Sequence, residues 1–136
     1  MVTYALDSSA VIRYLDDESG SARVAEIIKG HLGGRWYCIV SAIHWGEIAG
    51  VVYKAHGRMG LDLAMNRLLA FGLEVVPATA ERALRAGLIK VDRKIPYADA
   101  FGVELAAQSS DYVFVTADFD VKPATKNVKI EFLPKK

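Results

Sequence analysis

Four acidic residues of this 136-residue chain lie where their carboxylates could act together on one bound cation. Asp7 and Asp118 each follow a short apolar run, and Glu47 and Asp99 fall beside apolar positions in helical patterns. An unpaired carboxylate beside a packed surface is costly, and carboxylates that converge repel one another until they protonate. Mg²⁺ and Mn²⁺ remove that repulsion, because hard cations take oxygen ligands. The pattern predicts a magnesium or manganese centre formed by Asp7, Glu47, Asp99 and Asp118.

Such a centre suits the hydrolysis of phosphodiester bonds, because the cation polarises a phosphate oxygen and activates a water molecule. Ser9 and Thr116 could orient a carboxylate or that water, although a turn and a strand end explain the same two residues. Asp120 is a further acid near the centre, and an exposed position accounts for it more simply than metal binding. No cysteine and histidine cluster has zinc-site spacing. His44 could approach the acids from its helix, but it is not included in the predicted ligand set.

Taken alone, Asp7 has simpler interpretations. It stands between an apolar run and a helical pattern, so its side chain could cap the helix start or favour the positive end of the helix dipole. Three more acids at positions that reach the same place favour the ligand hypothesis. Ser8 could then serve the helix start and leave Asp7 free for the metal.

The apolar patterns predict the elements that bring the acids together. Runs typical of buried strands occupy residues 2–6, 36–40, 73–76, 112–115 and 128–133. Helical patterns occupy residues 10–15, 21–32, 41–54, 61–71, 80–91 and 96–108, and a polar loop covers residues 122–127. This alternation predicts an α/β fold, a three-layer sandwich around a central, mostly parallel five-stranded sheet. The carboxyl ends of parallel strands meet at one edge, so the acids that follow strands converge there.

For two of the helices, the sequence predicts which residues border the core. In the third helix, Glu47 stands in line with Ile43 and Val51, so it should border the core. In the fifth helix, an inward-facing apolar stripe is predicted at Ala80, Leu84, Leu88 and Val91. The apolar residues on either side of the break between the third and fourth helices could form an interface, although core packing explains the same pattern.

The composition limits the function classes. The formal net charge is +1, so the chain is not a strongly basic nucleic-acid binder, although a local basic patch remains compatible with RNA. Its one cysteine, Cys38, lies in an apolar run and should pack as a small hydrophobic residue. No basic-then-apolar leader and no membrane-length run is present. We therefore expect one domain over residues 1–136, without a membrane span, in the cytoplasm.

The four segments that carry the acids resemble the PIN domain family, and together they span nearly the whole chain. They are residues 6–12 (LDSSAVI), 39–47 (IVSAIHWGE), 95–100 (IPYADA) and 114–120 (FVTADFD). In size the chain is similar to the single-domain VapC toxins of type II VapBC toxin–antitoxin systems. Trp45 departs from the family pattern by its bulk, and it would either narrow the groove or fill the core.

This resemblance implies a Mg²⁺- or Mn²⁺-dependent endoribonuclease, usually a homodimer, that a cognate VapB-like antitoxin holds inactive. It implies that Asp7, Glu47, Asp99 and Asp118 form the acidic quartet, with Ser9 and Thr116 as supporting residues. RNA also needs phosphate contacts. The candidates are the densest basic cluster and one arginine after the first motif: Arg82, Arg85, Lys90, Arg93, Lys94 and Arg13.

Two other functions remain open from the sequence. An aspartyl-phosphate phosphatase would use Asp7 as the nucleophile, but it needs a second aspartate two residues later, where this chain has Ser9. A catalytically silent PIN-like binding or scaffold module would also place acids at this edge. In a scaffold, however, Glu47 and Asp99 on their helices would have no role.

Overall fold

The computed structural model describes all 136 residues and contains one sheet of five parallel strands. The strands are β1 (Thr3–Leu6), β2 (Tyr37–Ser41), β3 (Glu74–Val76), β4 (Tyr112–Thr116) and β5 (Ile130–Phe132). They lie in the order β3-β2-β1-β4-β5. The helices are α1 (Ser8–Leu15), α2 (Ser21–Leu32), α3 (Ala42–Ala70), α4 (Ala80–Arg93) and α5 (Tyr97–Ala106). The predicted α/β fold is confirmed, and every strand pairing is parallel.

The central strands divide their side chains between two cores, because successive residues of a strand point to opposite faces. The first core packs against α1, α2 and α3 and includes Leu6, Val40 and Val115. The second packs against α5 and includes Ala5 and Phe114. Since β1 is the middle strand, the residue that follows it emerges at the centre of the carboxyl edge. None of the helices combines the length and the apolar character that crossing a bilayer requires.

The third and fourth predicted helices are the two arms of α3. They meet at Gly57, whose φ of 69° lies in the left-handed region that a glycine adopts without a Cβ penalty. Ser41 caps the first arm as predicted, since its hydroxyl accepts a hydrogen bond from the Ile43 backbone N–H. The buried face of this arm, however, carries His44, Ile48 and Val52 rather than the stripe that contains Glu47.

Two further boundaries differ from the sequence prediction. The first helix begins at Ser8 instead of residue 10, directly after Asp7. A 3-10 helix, Phe119–Ala124, takes up the first half of the polar loop predicted at residues 122–127, and it anchors Val121 and Ala124 in the second core.

The prediction for the inward face of α4 is wrong. The apolar stripe is exposed, with relative accessibilities of 64% for Leu84, 59% for Leu88 and 72% for Val91. Ala86 is buried instead, because α4 packs on α5 and not on the sheet. A small residue allows the two helices to approach closely, and the longer apolar side chains are left on the outer face.

The close packing of α5 against β4 depends on Gly102. A Cβ atom at this position would lie 2.1 Å from Cε1 of Phe114, a fully buried ring in the second core. The ring cannot move freely, because it also stacks on His44 with a centroid separation of 5.8 Å. Any side chain at position 102 would therefore displace α5 from the sheet.

We expect Gly102→Ala to lower the free energy of unfolding by about 1–3 kcal/mol, the usual cost of overpacking a core. Gly50→Ala is the matched control, since position 50 is exposed on α3 and has no atom within 4 Å of an added Cβ. That change should stabilise the chain by about 0.4–1 kcal/mol. Urea unfolding measures both variants, and equal midpoints would contradict this description of the α5–β4 contact.

Candidate metal centre

The carboxyl edge of the sheet brings together side chains from four parts of the chain. Asp7 follows β1 at the start of α1, and Asp118 follows β4 by two residues. Asp99 lies in the first turn of α5, and Glu47 lies in the second turn of α3. Ligand atoms of Asp7, Asp99 and the buried histidine His44 all lie within 4.8 Å of one another. The edge therefore holds a compact cluster of oxygen and nitrogen donors.

Two hydroxyl groups fix the carboxylate of Asp7. The Ser9 hydroxyl and the Thr116 hydroxyl each donate a hydrogen bond of 2.6 Å to Oδ2 of Asp7. The same hydroxyl oxygens accept hydrogen bonds from the backbone N–H groups of Ala117 and Asp118, which fixes their own orientation. Asp7 makes no side-chain cap to α1, so the simple capping interpretation fails. Its second oxygen, Oδ1, remains directed toward the cluster.

His44 is the residue that the sequence analysis left out of the ligand set. It is 0% exposed, and its Nε2 lies 3.3 Å from Oδ1 of Asp7 and 3.9 Å from Oε1 of Glu47. A signal in the sequence could have found it: His44, Ile48 and Val52 recur at intervals of four on one apolar face. A histidine on the buried stripe, one turn before Glu47, must face the same edge as the acids.

The carboxyl group of Asp99 is held in an unfavourable setting for a negative charge. Burial raises the pKa of Asp99 from 3.8 to about 8, and the charge of Asp7 adds to the effect, followed by contributions from Asp118 and Glu47. None of the four acids forms an ion pair with a lysine or an arginine. No lysine or arginine of the chain therefore balances the negative charge of the cluster.

The other two acids of the predicted quartet lie at the margin of the cluster. Glu47 is partly exposed, and its Oε1 accepts a hydrogen bond of 3.0 Å from the Ser8 hydroxyl. Asp118 accepts a hydrogen bond from the backbone N–H of Asp120, whose own side chain is exposed. The set of carboxylate donors at this edge fits a divalent cation, which prefers oxygen ligands. Asp7 and Asp99 would hold it, with Glu47 and Asp118 within reach.

Two of the predicted RNA contacts have a structural partner instead. Glu104, which is 1% exposed, is held by the guanidinium groups of Arg82 at 2.8 Å and Arg85 at 2.9 Å. A buried carboxylate needs such partners, so these arginines secure α4 to α5. Arg13 is buried as well, and it donates to the backbone carbonyls of Ser19 and Pro134. These three arginines are thus engaged in structural contacts, and their contacts with phosphate stay a prediction.

The remaining basic candidates lie beside the cluster. Lys90 and Lys94 are exposed and line a surface depression together with Asp120 and Phe119, the first residues after the Asp118 turn. Arg93 lies between them in sequence at the end of α4 and is half-buried. The positive charge near the acids thus comes from the end of α4, whereas the middle of the same helix is committed to α5.

Comparison with known proteins assigns the chain to a family. The PIN domain model matches residues 4–126, and the chain belongs to the PIN domain family. No curated protein sequence matches the chain significantly.

Solved structures with the same fold include toxin–antitoxin proteins. One is VapBC2 of Rickettsia felis bound to a promoter DNA fragment, with a TM-score of 0.74, 16% identity and coverage of 98% of this chain and 100% of that one. VapBC of Salmonella typhimurium bound to DNA has a TM-score of 0.72, 16% identity and coverage of 97% and 98%. VapC20 of Mycobacterium tuberculosis, described as a sarcin–ricin loop cleaving toxin, has a TM-score of 0.67, 16% identity and coverage of 96% and 99%. At these identities the likeness establishes the fold.

The raised pKa of Asp99 gives a prediction for the metal-free chain. Asp99 ionises near 3.8 in the unfolded chain and near 8 in the folded one, so folding is favoured at low pH and this contribution is lost as the pH rises toward 8. Asp99→Asn, which mimics the protonated form, should match the parent chain near pH 4. By pH 8.5 it should melt at least about 5 °C higher.

Thermal melts in chelator across this pH range measure the difference between the two proteins. Asp92→Asn is the control, because Asp92 is exposed on α4 and forms no ion pair. A difference between Asp99→Asn and the parent chain that stays constant with pH would contradict the assignment.

Proposed function

We propose that this chain is a divalent-metal-dependent endoribonuclease and the toxin of a VapBC-type toxin–antitoxin pair. The observation that carries the proposal is the setting of Asp7. One of its oxygens is fixed by Ser9 and Thr116, and the other lies among Asp99 and His44 with no lysine or arginine to balance the charge. Membership of the PIN family and a fold shared with VapC toxins support the same activity.

In the proposed activity, the residues at the carboxyl edge of the sheet have different roles. A divalent ion held by Asp7 and Asp99 would polarise a phosphate oxygen and activate water for attack. The hydrogen bonds from Ser9 and Thr116 hold the carboxylate of Asp7 in one orientation. Glu47, which Ser8 orients at the open side of the cluster, is placed to bind the ion or to accept a proton from water. Mg²⁺ and Mn²⁺ are the ions that this oxygen-rich set favours.

RNA, encountered in the cytoplasm, is the proposed substrate, and its path runs over the depression beside the acids. Lys90 and Lys94 face this depression, and Lys122 lies 5.2 Å from the ring of Phe119 at its wall. Lysines at such positions would neutralise phosphates. Arg93, at the end of the same helix, is a further candidate for a phosphate contact.

The proposed partners are a second copy of the chain and a VapB-like antitoxin. The exposed stripe of Leu84, Leu88 and Val91 on α4 is an apolar face that a symmetric partner helix would cover, which supports a homodimer. A separate depression with a largely apolar surface lies where the two arms of α3 meet α1. It is lined in part by Val52 and Leu63. An amphipathic antitoxin segment fits such a groove, in keeping with similar folds found in VapBC complexes.

The alternative of a catalytically silent PIN-like scaffold requires the acids to have another role. A scaffold gains nothing from this cluster, because burial of Asp99 beside Asp7 disfavours the ionised form of Asp99 and so lowers the stability of the metal-free fold as the pH rises. An aspartyl-phosphate phosphatase fits less well, since the residue two positions after Asp7 is Ser9 and its hydroxyl donates to Asp7.

We expect Asp7→Asn to reduce Mg²⁺- or Mn²⁺-dependent RNA cleavage to the level measured in chelator, and to abolish toxicity on expression. An amide keeps the shape of the side chain but loses the charge that binds a cation. Asp111→Asn is the matched control, because Asp111 is exposed and lies at the opposite edge of the sheet, just before β4. Full cleavage by Asp7→Asn would overturn the assignment of Asp7 as a metal ligand, and an absence of metal-dependent cleavage by the parent chain would favour the scaffold.

We expect the double variant Lys90→Gln/Lys94→Asn to bind single-stranded RNA less tightly in chelator than the parent chain. If each lysine neutralises one phosphate, the slope of log affinity against log salt should become shallower by about 0.7 for each. Fluorescence anisotropy over a salt series measures both quantities. Lys29→Gln/Lys54→Gln removes the same charge from exposed positions on α2 and α3. An equal loss in both double variants would show that the depression is not the RNA path.

A further inference from the structure

His44 is a buried polar side chain with no hydrogen-bond partner on either ring nitrogen. A buried polar atom without a partner costs free energy, and native structures contain few of them. Each such atom therefore points to a partner that the protein alone does not provide. Here Nε2 lies 3.3 Å from Oδ1 of Asp7 and within 4.8 Å of a carboxylate oxygen of Asp99.

A second histidine shows what a structural imidazole in this chain looks like. Nε2 of His31 lies 3.0 Å from the carbonyl oxygen of Gly72, and its Nδ1 accepts a hydrogen bond of 3.1 Å from the backbone N–H of Cys38. His31 thus ties α2 to β2 and to the end of α3 through both nitrogens. His44 makes neither kind of contact, so fixing the backbone does not account for it.

The orientation of the His44 ring is set by its surroundings. The ring stacks on Phe114 with an interplanar angle of 16° and a centroid distance of 5.8 Å. Ile48 and Val52 continue the same buried face of α3. A ring packed in this way keeps Nε2 beside the acids whether or not a ligand is present. Preorganised donors of this kind are characteristic of metal sites.

We propose that Nε2 of His44 is a direct ligand of the metal ion, together with the carboxylates of Asp7 and Asp99. A bound ion would give Nε2 the partner that it lacks. Its positive charge would also offset the repulsion between the two carboxylates. A six-coordinate ion with bonds of about 2.1 Å keeps neighbouring ligand atoms about 3 Å apart, close to the 3.3 Å between His44 and Asp7. This inference rests on the proposed function, because it concerns the same site.

An imidazole ligand changes which ion the site selects. Mg²⁺ is a hard ion that prefers oxygen, whereas first-row transition ions accept imidazole nitrogen as well as carboxylate. A centre with two buried carboxylates and one histidine therefore takes a transition ion in preference to Mg²⁺. Mn²⁺ is the suitable probe, since it occupies oxygen-rich sites and is paramagnetic.

The test is pulsed electron paramagnetic resonance on the full chain, stripped with chelator and loaded with one equivalent of Mn²⁺. We expect ¹⁴N couplings typical of a bound imidazole, which change to the ¹⁵N pattern when histidine is isotopically labelled. Titration calorimetry should give an affinity for Mn²⁺ at least about tenfold above that for Mg²⁺. In His44→Gln the nitrogen couplings should disappear, and the preference for Mn²⁺ should fall about tenfold.

His56→Gln is the matched control, because His56 lies on the same helix three turns further on and is exposed. It should retain both the couplings and the ion preference. If His44→Gln fails to fold, the labelled spectrum of the parent chain decides the question without it.

Bound Mn²⁺ without nitrogen couplings would overturn the role of His44 and leave an all-carboxylate nuclease centre intact. A Mn²⁺ affinity that is unchanged in Asp7→Asn, or an absence of Mn²⁺ binding, would overturn both the His44 ligand and the proposed function.

Discussion

Electrostatic repulsion at the carboxyl edge of the sheet is the constraint on which the rest of the structure depends. The carboxyl ends of parallel strands lie at one edge of the sheet. In this chain an acid follows each of two adjacent strands, Asp7 after β1 and Asp118 after β4. Two helices then add Glu47 and Asp99 to the same place. The fold tolerates this arrangement because two hydroxyl groups hold Asp7 and because burial raises the pKa of Asp99 to about 8, which keeps its carboxyl group mostly protonated at neutral pH.

Helix α5 shows how the same chain treats two buried acids differently. Glu104 near its end is compensated by Arg82 and Arg85 from α4, so its charge belongs to the structure. Asp99 in its first turn receives no cation from the protein. The comparison separates an acid that holds helices together from one that is available for a ligand. It also explains why the middle of α4 does not supply the basic surface near the site.

Helix α4 is amphipathic in a way that its sequence does not resolve. One face carries Ala86 and the arginines that reach Glu104, and the other carries Leu84, Leu88 and Val91. Hydrophobic periodicity favours the leucine face as the buried one. The ion pairs with Glu104 and the close approach at Ala86 decide the opposite orientation, and they leave an apolar surface that a partner would cover.

The sequence alone determined the α/β class, the five strands and the convergence of Asp7, Glu47, Asp99 and Asp118, because strand and helix periods and the parallel connections are local properties. Only the tertiary structure decided which face of α4 is buried, that Arg13 is enclosed by the chain terminus, and that His44 lies against Asp7. These outcomes depend on contacts between residues far apart in sequence. For His44 the deciding contact is the ring of Phe114, 70 positions along the chain, which fixes the orientation of an imidazole that the helical pattern places only on the buried face of α3.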